Sequence, residues 1–261
     1  MTDANDAIHL AIRDGVATVT LNRPDRRNAL DADAWRDLRE TVTSIRVNPD
    51  VRVTVIQGAG DHFCAGADIR AGGPRRHPLD RMRNVSDAVL AIYDLPMPTV
   101  AVVRGSAVGA GWNVALACDF VLAAEDAQFN QIFARRGLSV DCGGSWLLPR
   151  IVGPQQAKRL IYMAEMIGAA EAADLGLVLS THAPEALEEA AMSLVDRLRA
   201  APPAAVDMDK QLINSTWTTS FADQLLRENI AQGINFATDA PAARAAIAEG
   251  KKPEFEGKWQ L

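Results

Sequence analysis

The stretch PTVAVVRGSAVGAGWNVALACDFVLAA, residues 98–124, restricts the fold more than any other part of the chain. TVAVV (99–103) reads as a strand, GSAVGAG as a turn of small residues, WNVALAC as a helix and FVLAA (120–124) as a further strand. Strand, turn, helix and strand in that order describe a crossover connection, so α/β layering is expected. The turn also carries chemistry. Small residues leave backbone N–H groups open to a ligand, and the unpaired N–H groups of the helix start favour negative charge. A phosphate P-loop is excluded because no Gly-Lys-Ser/Thr follows, and a dinucleotide fingerprint fails because the glycines are spaced GxxxGxG.

The same grammar recurs upstream. VATVTL (16–21) and VTVI (53–56) read as strands, and DADAWRDLRETVTSI between them puts Trp35, Leu38, Val42 and Ile45 on one helical face. DHFCAGADI (61–69) is a second Gly/Ala turn; two such turns converging would form an oxyanion hole, whereas glycines serving only tight packing would not. After Pro149 the chain turns helical, with PQQAKRLIYMAEMIG, PEALEEAAMSLVDRLRAA and FADQLLRENIAQGINF as helices and GLVLS as the one β-like run. A division into 1–200 and a helical 201–261 follows from AAPPAA near 200–205. RAGGPRRHPLD (70–80) reads as a mobile surface loop.

A net charge of −6 argues against nucleic acid as the main partner. Three cysteines without metal-site spacing suggest a reducing compartment, and predict no disulfide framework and no metal centre. No apolar run reaches the length of a membrane span, and the start MTDANDAIHLAIRDG has no secretion signal, so a cytoplasmic protein without membrane partners is expected.

TLNRPDRRNALD (20–31), FCAGADI (63–69), PTVAVVRGSAVGAG (98–111), ALACDFVLAAEDAQF (115–129), GLSVDCGGSWLLPRIVG (137–153) and KKPEFEGK (251–258) together resemble the crotonase, or enoyl-CoA hydratase/isomerase, superfamily. That resemblance implies a repeated ββα spiral core with a helical C-terminal trimerisation region, assembled as homotrimers or hexamers. It implies acyl-CoA thioester substrates, with coenzyme A arriving as part of the substrate and no other cofactor. The oxyanion donors would be the N–H groups of Ala67 and Ala110. Ala65, Asp68 and Ile69 would flank the adenine, Arg26 or Arg27 would stand near the nucleotide, and Lys258 would reach the phosphates, here or in a neighbouring subunit.

Two departures narrow the chemistry. Hydratases of this superfamily hold the attacking water with two glutamates, and the corresponding positions here are Asn113 and Phe133. Neither exchanges a proton near neutral pH. Asn113 is read either as a helix residue bonding backbone or as a polar group at the acyl pocket, including one that holds Asp141; Phe133 is read as a pocket wall.

Asp141 is the acid that remains, in a pattern resembling isomerases of the superfamily, closest to the epoxyphenylacetyl-CoA isomerase subgroup. Locally it has a plain alternative: an Asp-x-Gly turn whose side chain bonds nearby N–H groups. The favoured function is an acyl-CoA isomerase with Asp141 as general acid/base on a linear or cyclic acyl group. The rivals are an enoyl-CoA hydratase with an atypical site and a non-catalytic acyl-CoA binder. A dehalogenase-like use of Asp141 with loop residue His77 ranks below these.

Overall fold

The computed structural model describes residues 7–68, 70 and 77–258. The chain begins with a hairpin, β1 (Ile8–Arg13) and β2 (Val16–Leu21), then α1 (Ala32–Arg46). Next come β3 (Val53–Gly58), α2 (Pro78–Tyr93), β4 (Thr99–Val103), β5 (Ser106–Val108) and α3 (Ala110–Leu116). β6 (Phe120–Ala124) and β7 (Gln128–Asn130) lead to α4 (Gly144–Met163), which is broken at Gly153. β8 (Met166–Gly168), α5 (Ala169–Asp174), β9 (Ser180–His182) and α6 (Leu187–Arg199) follow, and α7 (Pro203–Ser215), α8 (Phe221–Phe236) and α9 (Ala240–Ala248) close the chain. Strand pairs followed by a helix recur along the first two hundred residues, as a ββα spiral requires.

The large sheet runs β1-β2-β3-β4-β6-β9, parallel throughout except for the β1–β2 hairpin. A small sheet, β5-β7-β8, stands beside it. Both faces of the large sheet are covered, which explains why its strands are nearly continuous in Val, Ile and Ala. Ala17, Val19, Ile56, Ala101 and Val103 join the main core with α1, whose Ala34, Trp35, Leu38, Val42 and Ile45 are buried. On the other face Val53, Val55, Val100 and Val102 meet Leu187, Ala191 and Val195, which recur every four residues along α6. Asp31 caps α1 by accepting from the Ala34 N–H at 2.9 Å.

Several expectations needed correction. The helix read from 154 begins ten residues earlier, because Pro149 and Pro154 sit within the broken α4. It ends at Met163, and 166–168 is strand rather than helix. The β-like run at 176–180 contributes only Ser180 to β9. The surface loop read over 70–80 gives way at Pro78 to α2, with His77 as its cap. Residues 71–76 of that loop lie outside the described residues, as does Ile69.

The C-terminal segment returns to the start of the central strands. Lys210 pairs with Asp119 at 2.8 Å, whose carboxylate also accepts from the Thr99 N–H. Arg52, just before β3, donates to the carbonyls of Ala201 and Phe255, and Asp239 accepts from the N–H groups of Glu256 and Gly257 at 3.0 Å each.

Candidate active site

The parallel strands β3 and β4 both end in Gly/Ala turns, and the two turns are zipped together. The Phe63 N–H donates to Arg104, Cys64 to Ser106 and Val108 back to Cys64, at 2.9, 3.0 and 2.9 Å. On the other side Leu30 donates to Gly66 and Asp68 donates to Leu30. Ala67 lies between the two ends of that bridge, so its own N–H points away from Leu30. Close approach demands glycine here. A Cβ at Gly66, where φ is 90°, would stand 2.7 Å from the Val108 oxygen, and one at Gly111 would stand 2.4 Å from the Cys64 oxygen. The Gly66 site is also 3.5 Å from the Ala110 nitrogen, which brings the two turns to one place. Among the described residues, neither the Ala67 nor the Ala110 N–H has a hydrogen-bond partner.

Ala110 opens α3, and Asn113 lies one turn further on, completely buried. Its Nδ2 donates to the backbone carbonyl of Asp141 at 2.8 Å, while its Oδ1 accepts from Gln131 Nε2 at 2.8 Å. Asp141 is thereby tied to the helix whose first N–H is that of Ala110. The Asp-x-Gly turn does form: Gly144 N–H donates to the Asp141 carbonyl at 3.0 Å, with Cys142 and Gly143 left-handed at φ of 51° and 76°. Main-chain oxygen, however, makes these bonds. The carboxylate Oδ1 is buried with no hydrogen-bond partner among the described residues, unlike the side chain of a structural Asx turn. Burial pushes the Asp141 carboxyl above its ordinary range, partly opposed by the Cys142 thiol.

Phe133 is buried in a tight turn, Ile132–Arg136, with its ring edge 3.6 Å from where a Gly109 Cβ would stand. It walls the turn before Ala110. Two residues beyond Asp141 an apolar cavity of about 460 Å³ opens between α2, the end of α3 and the start of α4. Val89, Leu90, Tyr93, Gly143, Trp146 and Leu147 line it, and Tyr93 meets the Trp146 ring edge-on at 5.7 Å. Arg150 stacks on the Trp146 ring at 3.8 Å.

The basic residues divide. Ala65 N–H donates to the Arg27 carbonyl, and the charge of Arg26 acts on Asp68, so these two arginines border the 65–68 turn. Burial would raise the Asp68 carboxyl, but the Arg70 N–H and the Arg23 guanidinium at 3.0 Å prevail and hold it below its ordinary range. Asp68 therefore spends its carboxylate on the turn itself. Lys258 is not brought to these turns within one chain: it pairs with Glu256, and its segment is anchored at the opposite end of β3. His77 accepts from the Leu79 N–H at the start of α2.

Sequence reasoning passed over three buried or half-buried anchors. Arg23 bridges Asp31 and Asp68, Asn28 donates to the carbonyls of Ala59 and His62, and Gln131 holds Asn113. Only Asn28 carried a local signal, following two arginines in a turn-rich run.

A sequence model of the enoyl-CoA hydratase/isomerase family matches residues 11–258, and the chain belongs to that family, within the crotonase superfamily. It is 32% identical to the 1,2-epoxyphenylacetyl-CoA isomerase of Escherichia coli K12, over 95% of this chain and 97% of that one. It is 33% identical to the crotonyl-CoA hydratase of Syntrophomonas wolfei, over 98% of this chain and all of that one. The solved structure of an enoyl-CoA hydratase from Polaromonas sp. JS666 superposes with a TM-score of 0.90 at 31% identity, covering 96% of this chain and 100% of that one. The protein is an enzyme of the enoyl-CoA hydratase/isomerase family; its relatives carry both hydratase and isomerase names.

Proposed function

We propose that this family member is an acyl-CoA isomerase in which Asp141 is the general acid/base and the Ala67 and Ala110 N–H groups form the oxyanion hole. The Asp141 carboxylate removes a proton from C2 of a 3-enoyl thioester. The C2–H electrons move into the conjugated dienolate, whose oxygen the two N–H groups receive. The protonated carboxyl then returns the proton to C4, leaving a 2-enoyl thioester and a restored carboxylate. No water is consumed and no redox step occurs.

One observation carries the reading: a buried carboxylate oxygen of Asp141 without a hydrogen-bond partner among the described residues, on a turn held by Asn113. A group raised in pKa by burial is a better base at neutral pH than a solvated carboxylate. Each oxyanion donor of this kind contributes about 10²–10³-fold in rate. Asn113 and Phe133 have no proton to manage, which disfavours water addition. The nucleotide of coenzyme A would lie along Ala65, Arg26 and Arg27. Assembly as a homotrimer or hexamer, a cytoplasmic location and the absence of any separate cofactor belong to the same proposal.

The test is a panel with three thioesters: 3-hexenoyl-CoA and 1,2-epoxyphenylacetyl-CoA for isomerisation, and crotonyl-CoA for hydration. Isomerisation well above hydration is expected. Hydration at an ordinary enzymatic rate without isomerisation overturns the proposal, and binding without turnover of any of the three makes the chain a non-catalytic member.

A further inference from the structure

We infer that Gln131 is a positioning residue for Asp141, acting through the side-chain amide of Asn113. This rests on the reading of Asp141 as the base, and extends it to a residue that touches no substrate.

The orientation of the relay follows from donor and acceptor chemistry. The backbone oxygen of Asp141 can only accept, so the Asn113 atom facing it at 2.8 Å must be the NH₂ group. Asn113 Oδ1 is then turned the other way and needs a donor, which Gln131 Nε2 supplies at 2.8 Å. Both amides are fully buried. Without the Gln131 donor, no other group holds Asn113 Oδ1 among the described residues, and a rotation of the amide would set its oxygen against the Asp141 carbonyl.

Gln131 is a costly way to fill that space. Its own Oε1 is buried without a partner, a desolvation cost that an apolar side chain of equal size would not carry. What the glutamine adds is a single bond, the one to Asn113. The element it steadies is the Asp141 turn, whose left-handed Cys142 departs from the backbone a side chain prefers. The turn also leans directly on the amide: a Cβ at Gly144 would stand 2.5 Å from Asn113 Nδ2. A displaced amide therefore displaces the carboxylate that follows the turn.

The experiment measures kcat and KM for isomerisation of 3-hexenoyl-CoA, together with exchange of its C2 protons for solvent deuterium, in Gln131→Met, Asn113→Leu, their double variant and Asp141→Asn. Gln131→Met keeps the length and loses the donor. The expected result is a fall in kcat and in exchange of about 10–100-fold with KM within about threefold, since misplacement of a reacting group acts on the rate rather than on CoA binding. The melting temperature should change little, because the substitution removes one unpaired buried oxygen, Gln131 Oε1, and leaves another, Asn113 Oδ1. Losses in the double variant should not multiply, because both substitutions cut one relay. Gln131→Leu, which also removes the donor, repeats the test if the methionine variant folds poorly. Wild-type kcat in Gln131→Met or Gln131→Leu overturns the inference, as do multiplying losses or a fall that simply follows the melting temperature. Asp141→Asn separates the two levels: if it keeps turnover, the general-base reading falls; if it is inactive while Gln131→Met is unaffected, only the relay falls.

Discussion

The side chain of Asn113 donates a hydrogen bond to the main chain of Asp141 across 2.8 Å, leaving the buried Oδ1 of the aspartate without a hydrogen-bond partner among the described residues. Asn113, buried one turn into α3, thus supports the backbone of the acid at 141. The chemistry and the stability of the site depend on that arrangement, and both are measurable.

Asp141→Asn should reduce isomerisation by about 10²–10⁴-fold, the range spanned by a positioned acid/base. The same substitution should stabilise the protein at neutral pH. Burial raises the folded carboxyl above its unfolded value, so its contribution to stability is full at pH below the unfolded value and is lost as pH rises through the folded one. An amide carries no such cost. Thermal melts at pH 7.5 should show a rise of about 1–3 °C, and a fall would contradict the burial argument.

The acid limb of the pH–rate profile should lie above the range of a solvated carboxylate, because Asp141 must be ionised to accept a proton. Cys142 pulls in the opposite direction, through its contact with the carboxyl. Cys142→Ala should therefore move that limb further towards neutral pH. A limb that stays at the position of an ordinary aspartate in both proteins would exclude Asp141 as the titrating group.

Gly66→Ala should lower kcat by about 10²–10³-fold, the cost of a displaced oxyanion donor. The added methyl would press on the Val108 oxygen from a left-handed residue, moving the turn that carries Ala67. Circular dichroism and melting controls separate this loss from global unfolding; an active, well-folded variant would show that the two turns need not touch.

Arg23→Met should destabilise the fold by about 1.5–3 kcal/mol, because it removes the guanidinium shared by Asp31 and Asp68 and leaves Asp68 with the Arg70 N–H alone among the described residues. Asp68 is held below its ordinary pKa, so its contribution is present above the unfolded value and disappears as pH falls through the folded one. The difference between wild type and variant should accordingly shrink in acid. Urea denaturation at pH 7 and pH 3 tests this directly, and a gap of equal size at both would refute it.

The parts of this architecture that could be read from sequence are those with long periods. Thr99–Val103 and the stripe of Trp35, Leu38, Val42 and Ile45 declare themselves because burial demands apolar residues at a fixed spacing. α2 escaped notice because its buried residues are few and cluster at one end, while Leu79, Met82 and Leu90 are exposed. The three-residue strands β5, β7 and β8 are too short to show any period. At the site, the Gly/Ala turns and Asp141 could be picked out, since their residue types are unusual where they stand. Gln131 could not. A buried glutamine has meaning only through the amide it meets, and Asn113 lies eighteen positions away in sequence.

The anchoring of Arg52 has a consequence for how the polypeptide is made. Its guanidinium is shared between carbonyls at 201 and 255, the second of them 203 residues further along the chain. During synthesis the central strands emerge long before those acceptors exist, so this part of the sheet must wait with its cation exposed to solvent. A carbonyl made 203 residues later thus completes the shell of this cation, and a nascent chain halted short of residue 255 lacks that acceptor.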